Sequence, residues 1–439
     1  MQKRTGTGAC VLWVAVVAGL VLSAGCGKDA DSGKVIRVTR NIGGREGFRL
    51  HFKAWQEAFE RDNPGWKIEL IDLGNQNGDE FYKARIATGD LPEVVMTWQL
   101  TPMLVKGNHL VPLDEAYYGK FGIPLPRKYK GRYYTTQGGI QVQGIAVNRK
   151  MWADVGITTP PQTWDEFVAG LAKLKAKGHR PLVLGGREWS AFQPLFYAIA
   201  TNMYDRDPSP DKPSWTIRRN RAEVRFATDP TARLILEKMI HLLDNFVEKG
   251  AASDGYNEEQ RIFYGGKGAT WMMGCWIAGD VEANQVDFEI DYWPIPSMTG
   301  RKPVLITCSV PQSGWAMTTS ATGEKRAKAR AFLECFYDPE VYQLFLNGEG
   351  QFAAASKVPV KGPRSAWEPA QRLFDNIQRT MDEYGTTPGF HIALDDMPPP
   401  ILFSNTMKAV MQEMLAGTRD VDRLLKMLDD DWDSALKGM

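Results

Sequence analysis

The chemistry open to this chain is read from the groups it offers and from the spacings it withholds. Its five histidines, His51, His109, His179, His241 and His391, show no metal-ligand spacing. No serine stands in a nucleophile elbow with acid and histidine partners. The glycine-rich run Tyr264-Gly265-Gly266-Lys267-Gly268 lacks the spacing of a phosphate-cradling loop. Asp205, Asp207 and Asp211 have the rhythm of a calcium loop, but the glycine at its sixth position and the glutamate at its twelfth are missing, so the segment reads as a plain loop. What the chain does offer is aromatic, amide and acidic side chains near the ends of predicted strands. An indole face stacks on an apolar C–H face, while amides and carboxylates bond hydroxyls. That is the chemistry of binding a polar ring-shaped solute.

The elements that would position such groups follow from periodicity. Val35 to Arg40 alternates as a first strand. The glycine-rich loop Asn41 to Glu46 then leads into a helix whose buried face carries Phe48, Phe52, Trp55 and Phe59, ended by Asn63-Pro64. Sites in open α/β sheets lie outside the carboxyl ends of strands, which puts Asn41 and Arg45, and later Asn75 and Gln76, on the appropriate edge. The stretch Gly138 to Gly178 organises the rest. Ile140 to Val147 is extended, Thr159-Pro160-Pro161 breaks the chain, and Thr163 with Glu166 three residues on has capping-box spacing. Trp164, Phe167, Leu171 and Leu174 mark the buried face of the helix that follows, and Gly178 stops it. A long helix is expected from about Pro230 to Lys249. The last helix, Val421 to Leu436, has Leu424, Leu425, Leu428, Trp432 and Leu436 on its apolar face, with Asp429, Asp430 and Asp431 expected on a solvated one.

At 439 residues the chain is long enough for two or three domains. Its 53 Lys+Arg against 52 Asp+Glu give +1, which excludes a nucleic-acid groove or polybasic membrane face built on clustered positive charge. The N-terminus reads as an export signal: Lys3 and Arg4, the apolar run Val11 to Leu22, then Ser23-Ala24-Gly25-Cys26. That run is short for a membrane span, which needs ~20 apolar residues. Cys26 is read as a lipidated first residue, although Ser23 occupies the position where such signals usually carry Leu. Cys275, Cys308 and Cys335 are then left. Three cysteines allow one disulfide at most, with Cys275–Cys308 the pair considered, and free thiols are the expected state.

The segment Gly156 to Phe167, with Gly156, Ile157, Pro160, Pro161, Thr163, Trp164, Glu166 and Phe167 at the positions of G-I-x-x-P-P-x-T-W-x-E-F, resembles family 1 extracellular solute-binding proteins. These are the sugar-binding receptors of ABC importers related to maltose-binding protein. The resemblance continues through Phe59 to Leu70, through Pro92-Glu93-Val94-Val95, and through Tyr264 to Trp276, which is similar to F-x-x-G-K-A-A-M-x-x-x-G-x-W. It implies an α/β fold of the periplasmic-binding-protein class II, two lobes joined by a hinge with the ligand cleft between them. The implied division is a signal peptide at 1–25, a lipid-anchored linker at 26–34, a first lobe of 35–143 and 304–360, and a second lobe of 144–303 and 361–439. Family positions carried onto this sequence make Trp98, with Gln99 beside it, Gln141, Glu188, Trp189 and Trp276 ligand contacts. Gln312, Trp315 and Phe403 are further candidates, Trp315 being equally placed as core, and they join Asn41, Arg45 and Gln76.

The resemblance implies a monomeric receptor with no cofactor and no metal. It would bind a sugar or oligosaccharide, pass it to ABC transporter permease subunits, and be held to the bacterial membrane by its lipid anchor, facing the periplasm or the cell exterior. Two other readings are carried. One keeps the fold but gives it a polyamine, or an anion, to which Arg40 and Arg45 leave the way open, or makes it a sensor subunit. The other is a carbohydrate-active enzyme, in which Glu188 would need a second carboxylate that the sequence does not supply.

Overall fold

In a computed structural model of the chain, the described residues are 33–74, 78–97, 100–126, 128–187, 189–204, 213–308, 314–390 and 405–438. In chain order the strands are β1 (Val35–Arg40), β2 (Lys67–Asp72), β3 (Val94–Met96), β4 (Gly139–Ile140), β5 (Val142–Asn148) and β6 (Thr270–Gly274). Then come β7 (Ile290–Trp293), β8 (Leu305–Thr307), β9 (Trp315–Met317), β10 (Phe352–Ala353) and β11 (Thr386–Pro388). They form two sheets, one in each lobe, and a two-stranded ribbon.

The first sheet has the order β2-β1-β3-β9, with β1 parallel to β2 and β3, and β9 antiparallel to β3. Strand side chains alternate between faces, and both faces are covered. Ile36, Val38, Val94, Trp315 and Met317 pack with the helices Glu46–Asp62, Gly323–Cys335 and Pro339–Glu349. Val95 and Ala316, one position out of phase, pack with Tyr82, Leu104 and Val105 instead. The Glu46–Asp62 helix buries the predicted Phe48, Phe52, Trp55 and Phe59 and adds His51. Burial holds the His51 imidazole well below its ordinary pKa, so it sits neutral among Trp55, Phe336 and Phe345.

The second sheet runs β11-β8-β5-β6, with β7 also paired to β5. Here β5 is fully buried. Ile145 and Val147 pack towards the Trp164–Ala176, Pro230–Phe246 and Val421–Gly438 helices, while Val142 and Ala146 pack towards Tyr256–Tyr264 and Glu368–Tyr384. The Trp164–Ala176 helix carries the predicted capping box: Glu166 N donates to Thr163 Oγ1 at 3.2 Å, and Thr163 N donates to Glu166 Oε2 at 3.1 Å. The ribbon pairs β4 antiparallel to β10, Ile140 opposite Phe352 and Gly139 opposite Ala353, so two connections between the lobes run side by side.

Two expectations are corrected. The return to the first lobe does not fall at residue 304. Thr307 and Ile306 pair with Val142 and Gln143 in the second sheet and Trp315 pairs with Met96 in the first, so the second sheet extends past residue 304, and Val142 and Gln143 themselves already belong to it. Asp429 does not sit on a solvated face. It is 2% exposed and accepts hydrogen bonds from Arg219 Nε at 2.9 Å and from the amides of Phe226 and Ala227 at 3.1 and 2.9 Å. The cysteines keep to the expected reading, and Cys275 and Cys308 are not joined in a disulfide. Gln143 is flanked by Gly274 on one edge and Ile306 on the other, which puts the two cysteines on strands ~10 Å apart, beyond the ~7 Å that a disulfide spans. Burial pushes the Cys275 thiol up to about 12.

Candidate ligand-binding cleft

Where the lobes meet, the second contributes the end of β6 and the short 3₁₀ helix Cys275–Asp280. Trp276, half-buried, folds back over that strand end, because a Cβ on Gly274 would lie 1.9 Å from the indole. Glycine there lets the ring lie against the backbone instead of pointing away. The first lobe contributes the loop that follows β1. Arg45, just before the helix, stacks its guanidinium on Phe48 at 3.6 Å and reaches across. Its Nε donates to Asp280 Oδ1 at 3.2 Å and its Nη2 to the Trp276 carbonyl at 3.4 Å. The Asp280 Oδ2 accepts from Gln260 Nε2 at 3.1 Å. Both side chains are mostly buried, Arg45 with 19% and Asp280 with 9% of its surface exposed.

Electrostatics follow from this burial. Desolvation works to lower the Arg45 pKa, but Asp280, Tyr256 and Glu349 outweigh it and the guanidinium ends above its ordinary value. Desolvation dominates for Asp280, whose carboxyl is raised although Arg45 pulls it down. A second pair lies behind the first. Arg40, fully buried, bonds to Glu349, which also accepts from Gln351 Nε2 at 3.2 Å. Around these pairs the lobes touch backbone to backbone: a Cβ on Gly279 would come within 2.5 Å of the Gly348 carbonyl oxygen, and one on Gly350 within 2.6 Å of the Cys275 oxygen.

Of the predicted site residues, Arg45 and Trp276 are brought together. Asn41 is half-buried at the carboxyl end of β1, and Gln141 is half-buried between β4 and β5, its carbonyl accepting from Cys308 N at 2.9 Å. Its same-side neighbour Gln143 is structural, buried with its Nε2 donating to the Pro194 carbonyl at 2.5 Å. Of the two places the sequence leaves to Trp315, the structure takes the core. The residue is 1% exposed, its indole N–H donates to the Thr39 carbonyl at 3.3 Å, and it packs against Trp55, Phe336 and Phe345. Trp189 opens the helix Trp189–Met203. Gln76, Trp98, Gln99, Glu188, Gln312 and Phe403, like Cys26, lie outside the described residues. Sequence reasoning missed Asp280 and Tyr256. No local pattern marked Asp280, because the arginine it meets comes from the other lobe.

The arrangement holds a half-buried indole, a charge-neutral donor–acceptor pair and half-buried amides at the junction of two lobes. Among the described residues no group of three or more His, Cys, Asp or Glu could hold a metal ion. Two α/β lobes, a ribbon linking them and polar and aromatic groups meeting where the lobes join define a solute receptor of the class II periplasmic-binding-protein fold. The sequence matches the model described as bacterial extracellular solute-binding protein over residues 50–343, and the chain belongs to that family. It is 23% identical over 365 residues to the multiple sugar-binding protein of Streptococcus mutans, covering 78% of this chain and 80% of the relative. It is also 25% identical over 209 residues to the diacetylchitobiose binding protein DasA of Streptomyces coelicolor, covering 47% of this chain and 45% of that one. Among solved structures, a chitin oligosaccharide binding protein superposes with TM-score 0.77 at 22% identity, covering 92% of this chain and 99% of the other. Maltose-bound MalE3 of T. maritima does so with TM-score 0.68 at 15% identity, covering 91% and 99%. The family is one of exported binding proteins. Among the described residues no helix is long and apolar enough to cross a membrane.

Proposed function

We propose that the protein is the extracytoplasmic receptor of an ABC importer, that it closes its two lobes on a sugar or oligosaccharide, and that it delivers this to membrane permease subunits. The observation that carries the proposal is Trp276, held over the end of β6 beside the interlobe Arg45–Asp280 pair. An indole and paired donor and acceptor groups are what a ring with apolar C–H faces and equatorial hydroxyls calls for. The names of the relatives point the same way. Trp98, Gln99, Gln141, Glu188, Trp189, Asn41, Gln76, Gln312 and Phe403 are proposed to complete the site, and no catalytic step is assigned to it. The protein acts as a monomer, exported and anchored through acyl chains on Cys26, each buried methylene of which contributes ~0.8 kcal/mol.

The test is a thermal-shift screen of the purified protein against maltose, raffinose, diacetylchitobiose, spermidine and inorganic phosphate. A ligand that binds only the folded state, present at a hundred times its Kd, adds ~2.7 kcal/mol. A raised Tm with one saccharide class is the expected result. A response confined to spermidine or phosphate would overturn the sugar assignment.

A further inference from the structure

The charged groups at the junction of the lobes cancel in pairs. Arg45, from the first lobe, is bonded to Asp280, from the second. Arg40 is bonded to Glu349 within the first lobe. The two pairs act as one set of charges, since Glu349 bears on both Arg45 and Asp280. Glu259, another buried acid near Tyr256, is taken up elsewhere: its oxygens accept from Gly185 N at 2.7 Å and the Trp271 indole at 3.0 Å. The Arg45–Asp280 pair reaches Trp276 through Arg45 Nη2, which donates to its carbonyl, and keeps some exposed surface.

A guanidinium is donor-only and a carboxylate is acceptor-only, so their pair presents both capacities at one place with no net charge. A hydroxyl, which donates and accepts, matches both halves. A ligand carboxylate drawn to Arg45 meets the Asp280 oxygens, and a ligand ammonium drawn to Asp280 meets the guanidinium. Either would have to displace an existing partner and leave a mostly buried charge unpaired.

We infer that Asp280 sets the charge selectivity of the cleft, neutralising Arg45 so that neutral, hydroxyl-bearing saccharides are accepted while acidic sugars and polyamines are rejected. The inference rests on the receptor reading above and deepens it, because it separates the sugar, anion and polyamine ligands by one interaction.

The experiment is calorimetric titration of the full-length protein with the neutral saccharide that binds it best among maltose, raffinose and diacetylchitobiose, and with trigalacturonate and spermidine. The wild-type protein is expected to bind the neutral saccharide at least ~10-fold more tightly than either charged probe. The substitution Asp280→Asn, which leaves Arg45 unneutralised, is expected to tighten trigalacturonate at least ~10-fold while the neutral saccharide changes less. Arg45→Gln gives the mirror result, with spermidine gaining, and serves if Asp280→Asn does not fold by its melting curve. Equal binding of trigalacturonate and the neutral saccharide by wild type overturns the inference, as does an unchanged selectivity ratio in folded variants, and in both cases the receptor reading stands. Failure of all three saccharides, with either charged probe binding, overturns the receptor's sugar assignment itself.

Discussion

Trp276 and Trp315 are the same residue type at the ends of short strands, and the structure gives them opposite surroundings. Trp315 lies on the helix-covered face of the first sheet with its indole N–H bonded to Thr39, whereas Trp276 is half-buried over a glycine at the lobe junction. Trp315→Ala should therefore cost about 3–5 kcal/mol of stability, as emptying an aromatic core site does. Trp276→Ala should leave the Tm of the unliganded protein within a few degrees yet weaken saccharide binding by ~2 kcal/mol or more, some thirtyfold. Denaturant melts and calorimetric titrations of both variants check the contrast. A collapse of the fold in Trp276→Ala would make that residue core. Sequence could name both tryptophans but not separate them, because what divides them is contact with Phe336 and Phe345, twenty to thirty residues further along. Asp280 was illegible for a related reason: a lone acid in a sequence carries no sign of the arginine that comes from another lobe to meet it.

At the level of elements, what was legible was what local physics dictates. The capping box of Thr163 and Glu166, the three- and four-residue spacing of Phe48, Phe52, Trp55 and Phe59, and the apolar run of β5 depend only on neighbours in the chain. What was misplaced depends on long-range pairing. The strand β8 is three residues long and its sheet is decided by Val142 and Gln143, far upstream, so the return crossing was set too early. Ribbon strands of two residues, β4 and β10, leave no periodic trace at all. Asp429 stands in a run of three aspartates that reads as solvated, and only the arrival of Arg219 and two backbone amides turns it inward. A buried carboxylate with charge-assisted partners differs from its exposed neighbour Asp430 by tertiary contact alone.

At the level of the whole molecule, the two lobes share a narrow ribbon and a glycine-lined seam bridged by the Arg45–Asp280 pair, an arrangement that suits rotation of one lobe against the other. Replacing the proposed lipidation site, Cys26→Ser, should move the protein from the membrane fraction to the soluble one, and a variant that stays with membranes would contradict lipidation. The central claim is that a saccharide binds between the lobes and draws them together. Small-angle X-ray scattering of the protein with and without the saccharide that raises its Tm tests this directly. The account predicts a smaller radius of gyration with ligand, and no such change for Trp276→Ala at the same ligand concentration. Saccharide binding that leaves the radius of gyration unaltered, with Trp276→Ala binding as tightly as wild type, would place the ligand elsewhere and contradict it.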